Sequence, residues 1–196
     1  MKFKFYLFAL LLPLVACADN TKESCIDQAK KYEALAEGPE SAKTAELFQR
    51  AQDKYLCALE QGNEVAGYYA AGLSAGGVAK NLGKDKEFEL THKAAKAGLI
   101  DAQLTLSLLY CGDNPLKCDR PNEAKPWLIA AAKQGDSTAY NELGAYYERG
   151  FSGESDFNRA QSCYKIAIEK GNKIALENYK RVTRLAGNSA SAINCF

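Results

Sequence analysis

The sequence predicts an all-α solenoid: helix-turn-helix repeats in series, closed at the ends by helical caps. Three columns of small residues carry that prediction. Glycines recur at Gly62, Gly98, Gly135 and Gly171, spaced 36, 37 and 36 residues apart. One alanine series (Ala66, Ala102, Ala139, Ala175) keeps the same spacing, and a second (Ala58, Ala94, Ala131, Ala167) keeps it again. Self-similarity at such a period marks stacked supersecondary units, none of which buries its apolar face alone.

Each unit reads as two helices. Residues ahead of each glycine are apolar at helical spacing: Phe88, Ala94 and Ala95; Trp127, Leu128 and Ala131; Tyr164, Ala167 and Ile168. Glycine then stands where a helix end needs a left-handed residue, and the next helix carries alanine at its head. In chain order the pattern predicts helices over 22–37, 40–61, 64–75, 84–97, 101–111, 121–134, 137–149, 156–170 and 173–187. Glu37-Gly38-Pro39-Glu40 supplies the turn between the first two. Leu104 to Leu108 alternates with period two, as a strand would. The aligned stretch Ala139 to Tyr147 is helical in pattern, and the repeat register overrides the alternation.

These residues resemble the Sel1-like repeat, a member of the tetratricopeptide-like helical arrays. The third unit carries Ala139, Leu143, Gly144, Tyr147, Gly150, Asp156, Ala160, Tyr164, Ala167 and Gly171 in the motif's order. The middle unit is similar, with Ala102, Leu106, Tyr110, Gly112, Asp119, Ala124, Trp127, Ala131 and Gly135. The first departs, with Ala70, Ser74 and Glu87 at motif positions, though Gly76-Gly77-Val78 keeps the loop. The resemblance implies a protein-binding module rather than an enzyme. Small lipoproteins of this family include immunity proteins that neutralise toxic secreted enzymes, notably lipases delivered by type VI secretion. A scaffold for envelope or cell-wall assembly is the alternative the resemblance leaves open.

The chain's beginning supports an envelope address. Met1-Lys2-Phe3-Lys4 is basic, and Phe5 to Val15 is uncharged. That run is shorter than the roughly 20 residues a membrane span needs, and it matches the apolar core of a secretory signal. It ends in Leu14-Val15-Ala16-Cys17, which resembles the lipobox of bacterial lipoproteins. The expected organisation is a signal peptide over 1–16, a lipidated tether over 17–23 starting at Cys17, a capping helical hairpin over 24–61, the repeat array over 62–186 and a tail over 187–196. By the same resemblance, Ala18 implies sorting to the outer membrane, facing the periplasm.

Six cysteines follow Cys17: Cys25, Cys57, Cys111, Cys118, Cys163 and Cys195. An even number in an exported chain implies three disulfides, with fifteen possible connectivities. Cys25 and Cys57 straddle the first hairpin symmetrically. Cys111 and Cys118 bracket an irregular loop, and Cys163 and Cys195 remain. The expected pairs are therefore 25–57, 111–118 and 163–195.

Composition excludes several functions. Lys+Arg total 25 against Asp+Glu 24, so no basic excess exists to draw nucleic acid by counterion release. One histidine and no CxxC pair argue against a metal site, and no cofactor is expected. Ser162-Cys-Tyr-Lys165 matches the S-x-x-K pattern of penicillin-interacting enzymes, but the companion SDN and KTG motifs are missing. Glu89-x-x-His92 is half a di-iron motif whose second half has no histidine to supply it. Gly72 to Gly77 lacks the strand and the Lys-Ser/Thr of a phosphate loop.

The partner surface follows from register. Counting from each head alanine, positions +4, +7 and +8 read as core: Ala70 and Leu73; Leu106, Leu109 and Tyr110; Leu143, Tyr146 and Tyr147. Positions +2, +3 and +6 should line a groove: Tyr68, Tyr69, Leu104, Thr105, Leu108, Asn141, Glu142, Glu177, Asn178 and Arg181. Tyr and Leu at the near end and charges at the far end suggest a partner met by both apolar and ionic contacts.

Overall fold

The joints between repeats show why the columns exist. In the computed structural model, Gly62, Gly98, Gly135 and Gly171 all take left-handed backbone, with φ of 92°, 96°, 90° and 90°. The residue after each glycine donates its N–H back to the carbonyl of the second alanine column: Asn63 to Ala58, Leu99 to Ala94, Asp136 to Ala131, Asn172 to Ala167. The glycine N–H takes the carbonyl one residue further on, completing a Schellman end. The same following residue then caps the next helix. Asn63, Asp136 and Asn172 accept through their side-chain oxygens from the N–H groups of Ala66, Ala139 and Ala175. One column is thus the acceptor of a helix end, and the other sits in the first turn of the next helix. All four head alanines are fully buried.

Residues 23–37, 43–112, 117–151, 153–186 and 194–196 are described. The expected leader 1–16, Cys17, the tether up to residue 22, Gly38-Pro39-Glu40 of the first turn and residues 187–193 of the tail lie outside them. Among the described residues there are nine helices and no strand: α1 Cys25–Ala36, α2 Thr44–Glu60, α3 Glu64–Ala75, α4 Lys84–Lys96, α5 Ile100–Cys111, α6 Pro121–Lys133, α7 Ser137–Glu148, α8 Phe157–Glu169 and α9 Ile174–Ala186. The 104–108 stretch lies inside α5. None of these helices is long and apolar enough to cross a membrane.

The chain forms two compact units, one ending at Asn81 and one running from Leu82 to Phe196. The first holds α1 to α3 around Ala29, Ala51, Tyr55, Ala58, Ala66, Ala70 and Leu73. Tyr55 is buried and donates its hydroxyl to Glu33 at 2.6 Å, while its ring stacks on Tyr69 at 5.3 Å. Gln52, fully buried, donates to the carbonyls of Ala70 and Lys80, tying α2 to α3 and the segment after it. The second unit holds α4 to α9, each packed on the next, and its largest core joins α6 to α9 through Leu128, Leu143, Tyr146, Tyr147, Tyr164 and Val182.

Cys25 is bonded to Cys57, Cys111 to Cys118 and Cys163 to Cys195, with Cα separations of 6.1, 3.9 and 4.8 Å. These are the three pairs expected from the sequence. Cys163 and Cys195 are fully buried, and the last bond seats Phe196 on the ring of Tyr140.

Two core assignments need correction. Leu109 is 52% exposed and Tyr110 only half-buried. The buried face of α5 is Ala102, Gln103, Leu106 and Ser107, one step round the helix from the expected face. Leucines at 104, 106, 108 and 109 make α5 apolar on every side, so periodicity carries no phase there.

Gly144 explains the Leu-Gly pair of the repeat. A Cβ at this position would lie 2.5 Å from Cδ1 and Cε1 of Tyr164, a ring with no exposed surface to move into. Gly72, on the exposed side of α3, has nothing within 4 Å. Gly144→Ala should therefore destabilise the chain by about 1–3 kcal/mol despite the better helix propensity of alanine. Gly72→Ala should stabilise it by about 0.5–1 kcal/mol. Urea melts of both variants check the opposite signs.

Candidate partner-binding surface

The predicted groove residues meet different fates. In the first unit Tyr68 and Tyr69 are half-buried. Tyr69 packs on the core against Tyr55, and Tyr68 meets it edge-on at 5.7 Å. Both are therefore support for α2 as much as surface. In the second unit Leu104 and Thr105 are half-buried, and Leu104 packs on the core. Leu108 is 62% exposed, as is much of Leu109, which leaves apolar side chains of α5 open to solvent.

Asn141 corrects the register again. It is buried, not groove-lining. It accepts from Asn178 Nδ2 at 2.9 Å and donates to Glu142 at 3.1 Å, a polar bridge from α9 to α7. Burying an amide is tolerated because both its groups are bonded. Glu177 is exposed and pairs with Lys180 at 2.8 Å.

Arg181 is a clamp. Its guanidinium makes two 2.7 Å bonds to the Glu148 carboxylate, which also accepts from the Tyr164 hydroxyl at 2.7 Å. One carboxylate thus joins α7, α8 and α9. Burial alone would raise the pKa of Glu148. The bonds from Arg181 and Tyr164 outweigh it and hold the carboxyl below the usual glutamate range. Burial first, and then the Glu148 bond, pushes the Tyr164 hydroxyl well up.

Between the C-terminal ends of α5 and α7 lies a cavity of about 130 Å³. Ser107, Leu108, Cys111 and Gly112 form one wall; Glu142, Ala145, Tyr146 and Arg149 form the other. Leu128 and Phe151 are apolar lining, and Lys117 stands on the disulfide-closed loop. Tyr146 is fixed: its hydroxyl donates to the Pro121 carbonyl at 3.2 Å, and its ring meets Phe151 edge-on at 5.8 Å. Two predicted residues, Leu108 and Glu142, reach this cavity. Sequence reasoning missed the rest because Lys117 and Phe151 lie beyond the helices, and Arg149, the last residue of the predicted 137–149 helix, stands past the counted groove positions. The signal available was the glycine-ended loop after each first helix, Gly112 and Gly150.

The other singled-out residues have structural duties. Ser162 donates its hydroxyl to the carbonyl of Asn158 at 3.1 Å, and Lys165 is exposed. Glu89 is paired with Lys86 and Lys93, and His92 sits between the rings of Phe88 and Trp127. Burial, and then Lys96, lower the His92 pKa. Gly76 and Gly77 form the turn after α3.

The clamp sets a pH prediction. A carboxylate whose folded pKa is depressed adds stability above its unfolded value and loses it as pH falls through the folded value. Glu148→Gln should cost about 1–3 kcal/mol at neutral pH. The gap to wild type should close on acidification below about pH 4, the usual glutamate range. Denaturant melts across that window check it.

Comparison with known proteins agrees with this architecture. No protein-family model matches the chain. A mouse protein, DAP3-binding cell death enhancer 1, is 32% identical over 97 residues, which are 50% of this chain and 18% of that protein. A protective antigen of uropathogenic Escherichia coli, described as displaying an SLR fold, superposes with a TM-score of 0.67 at 24% identity, over 83% of this chain and 33% of its own. A Sel1 repeat protein from Oxalobacter formigenes superposes with a TM-score of 0.63 at 24% identity, over 82% of this chain and 72% of its own. The chain therefore has the all-α fold of the Sel1-like repeat proteins.

Proposed function

We propose that this chain is a non-enzymatic protein-binding module of the cell envelope, held at a membrane by lipid on Cys17. The observation that carries the binding role is the preformed cavity lined in part by the exposed Leu108. A preformed hollow holding a fixed tyrosine and an arginine, with exposed apolar surface at its edge, is a place where a partner's anchoring side chain can be buried. The fold supports the same reading, since Sel1-repeat proteins are in general interaction modules, and the mouse relative is itself named for binding another protein.

Three disulfides accord with an oxidising, extracytoplasmic compartment. Lipid on Cys17, with acylation of its amine, would supply the several chains that stable anchoring requires. Within this reading, neutralising a secreted toxin is the finer function we put forward, and envelope scaffolding is its rival. The toxin-neutralising role needs only occupancy, in the compartment where the toxin acts.

Two measurements test it. Labelled palmitate should enter the wild-type chain and be absent from Cys17→Ser, which should also leave the membrane fraction. Affinity capture with the disulfide-intact chain from an envelope extract of its own bacterium should retain a specific protein. A secreted enzyme among the retained proteins supports neutralisation, and wall or transport machinery supports the scaffold. Retention of nothing beyond what an unrelated helical protein retains would sink the binding role.

A further inference from the structure

We infer that the cavity between α5 and α7 is an anchor site for one leucine- or phenylalanine-sized side chain of a partner protein, carried beside a carboxylate that meets Arg149. The inference rests on the binding-module reading and names what the module grips.

Size selects the guest. About 130 Å³ is the room of roughly four waters, and an apolar cavity near that size holds a six-carbon ring. It is too small for a helix or a drug-sized ligand, which need about 300 Å³ or more. Chemistry agrees with size. Leu108, Leu128, Ala145, Tyr146 and Phe151 present carbon, and Tyr146 is locked by its bond to Pro121. Little ordering remains to be done on binding, which is where preorganised pockets gain affinity. Leu108 lines the cavity yet is 62% exposed, so its apolar surface continues outward and the guest arrives on a larger body.

Charge selects what stands next to the guest. Of the ionic groups at the rim, Lys117 is engaged by Asp119 at 3.0 Å, and Glu142 accepts from Asn141. The carboxylate nearest Arg149 in sequence, Glu148, is taken by Arg181 and Tyr164. Arg149 lies with its guanidinium 5.8 Å from the Phe151 ring centre; its charge acts on Glu148 from a distance, but it makes no direct ion pair among the described residues. A planar fork of donors resting on an aromatic wall of the cavity is suited to a carboxylate one residue from the buried side chain.

The test is an NMR titration of the isotope-labelled, disulfide-intact chain with two probes, N-acetyl-Leu-Glu-amide and N-acetyl-Leu-Lys-amide. The expected result is saturable shifts confined to the amides around Leu108, Ala145, Tyr146 and Phe151, with the glutamate peptide bound about two- to five-fold tighter, the range of a surface ion pair. Arg149→Gln should erase the preference and keep the binding. Leu108→Asp, at an exposed position, should remove both. Absence of saturable shifts, shifts elsewhere, or equal affinity for both probes in the wild type overturns the inference. A captured partner that stays bound to Leu108→Asp overturns it too, while leaving the binding-module reading intact. Probe binding in the cavity without any captured partner would sink that reading instead.

Discussion

A glycine able to turn left-handed is the constraint on which each repeat depends. At every joint it reverses the chain within two residues and presents its own N–H to the helix just ended. The residue after it closes the previous helix with its N–H and, in three of four joints, opens the next with its side chain. Such a joint leaves room for little besides alanine on either side. Larger side chains at Ala58, Ala94, Ala131 or Ala167, or at the four head positions, would hold the two helix ends apart, because those positions are buried where the helices meet.

Depth in each unit is fixed by a tyrosine three residues before a column alanine. Tyr55 and Tyr164 occupy that place, both are buried, and both donate to a glutamate, Glu33 and Glu148. A buried hydroxyl must find a partner, so the ring is held in one orientation and the neighbouring helix in one register. In the third repeat Gly144 clears the space for that ring. The two units use different glutamates for one purpose, which shows the demand is for an acceptor near the hydroxyl rather than for one particular pair.

The sequence was legible wherever small residues recur. Periodic Gly and Ala located the joints and, among the described residues, the helices that meet at them to within a few residues, because a joint tolerates almost no substitution. It was illegible where several residues serve equally. α5 carries leucine on all sides, so counting placed Leu109 inside along with Leu106, when Gln103 and Ser107 are the residues buried beside Leu106. The groove register misjudged Asn141 for a related reason: its partner Asn178 lies 37 residues away, and only stacking of α9 on α7 brings the two amides together. The cavity was half legible. Leu108 and Glu142 obey helical spacing and Arg149 caps α7, whereas Phe151 and Lys117 belong to loops whose course local patterns do not encode.

One joint differs from the others. Leu99 offers no side-chain oxygen to the first turn of α5. In its place, Gln103 donates to the Ala95 carbonyl at 3.1 Å and accepts from Gln134 at 3.0 Å, so an amide from the end of α6 props the end of α4. The α8–α9 joint is tied to its neighbour by Asn172, which donates to the Ser137 carbonyl at 3.3 Å; the α4–α5 joint, lacking a side-chain cap of its own, takes its support from the following repeat. Its breathing is thereby coupled to the next repeat: solvent deuterium should reach the α4–α5 turn only when the end of α6 loosens as well, making these two repeats exchange as one cooperative block.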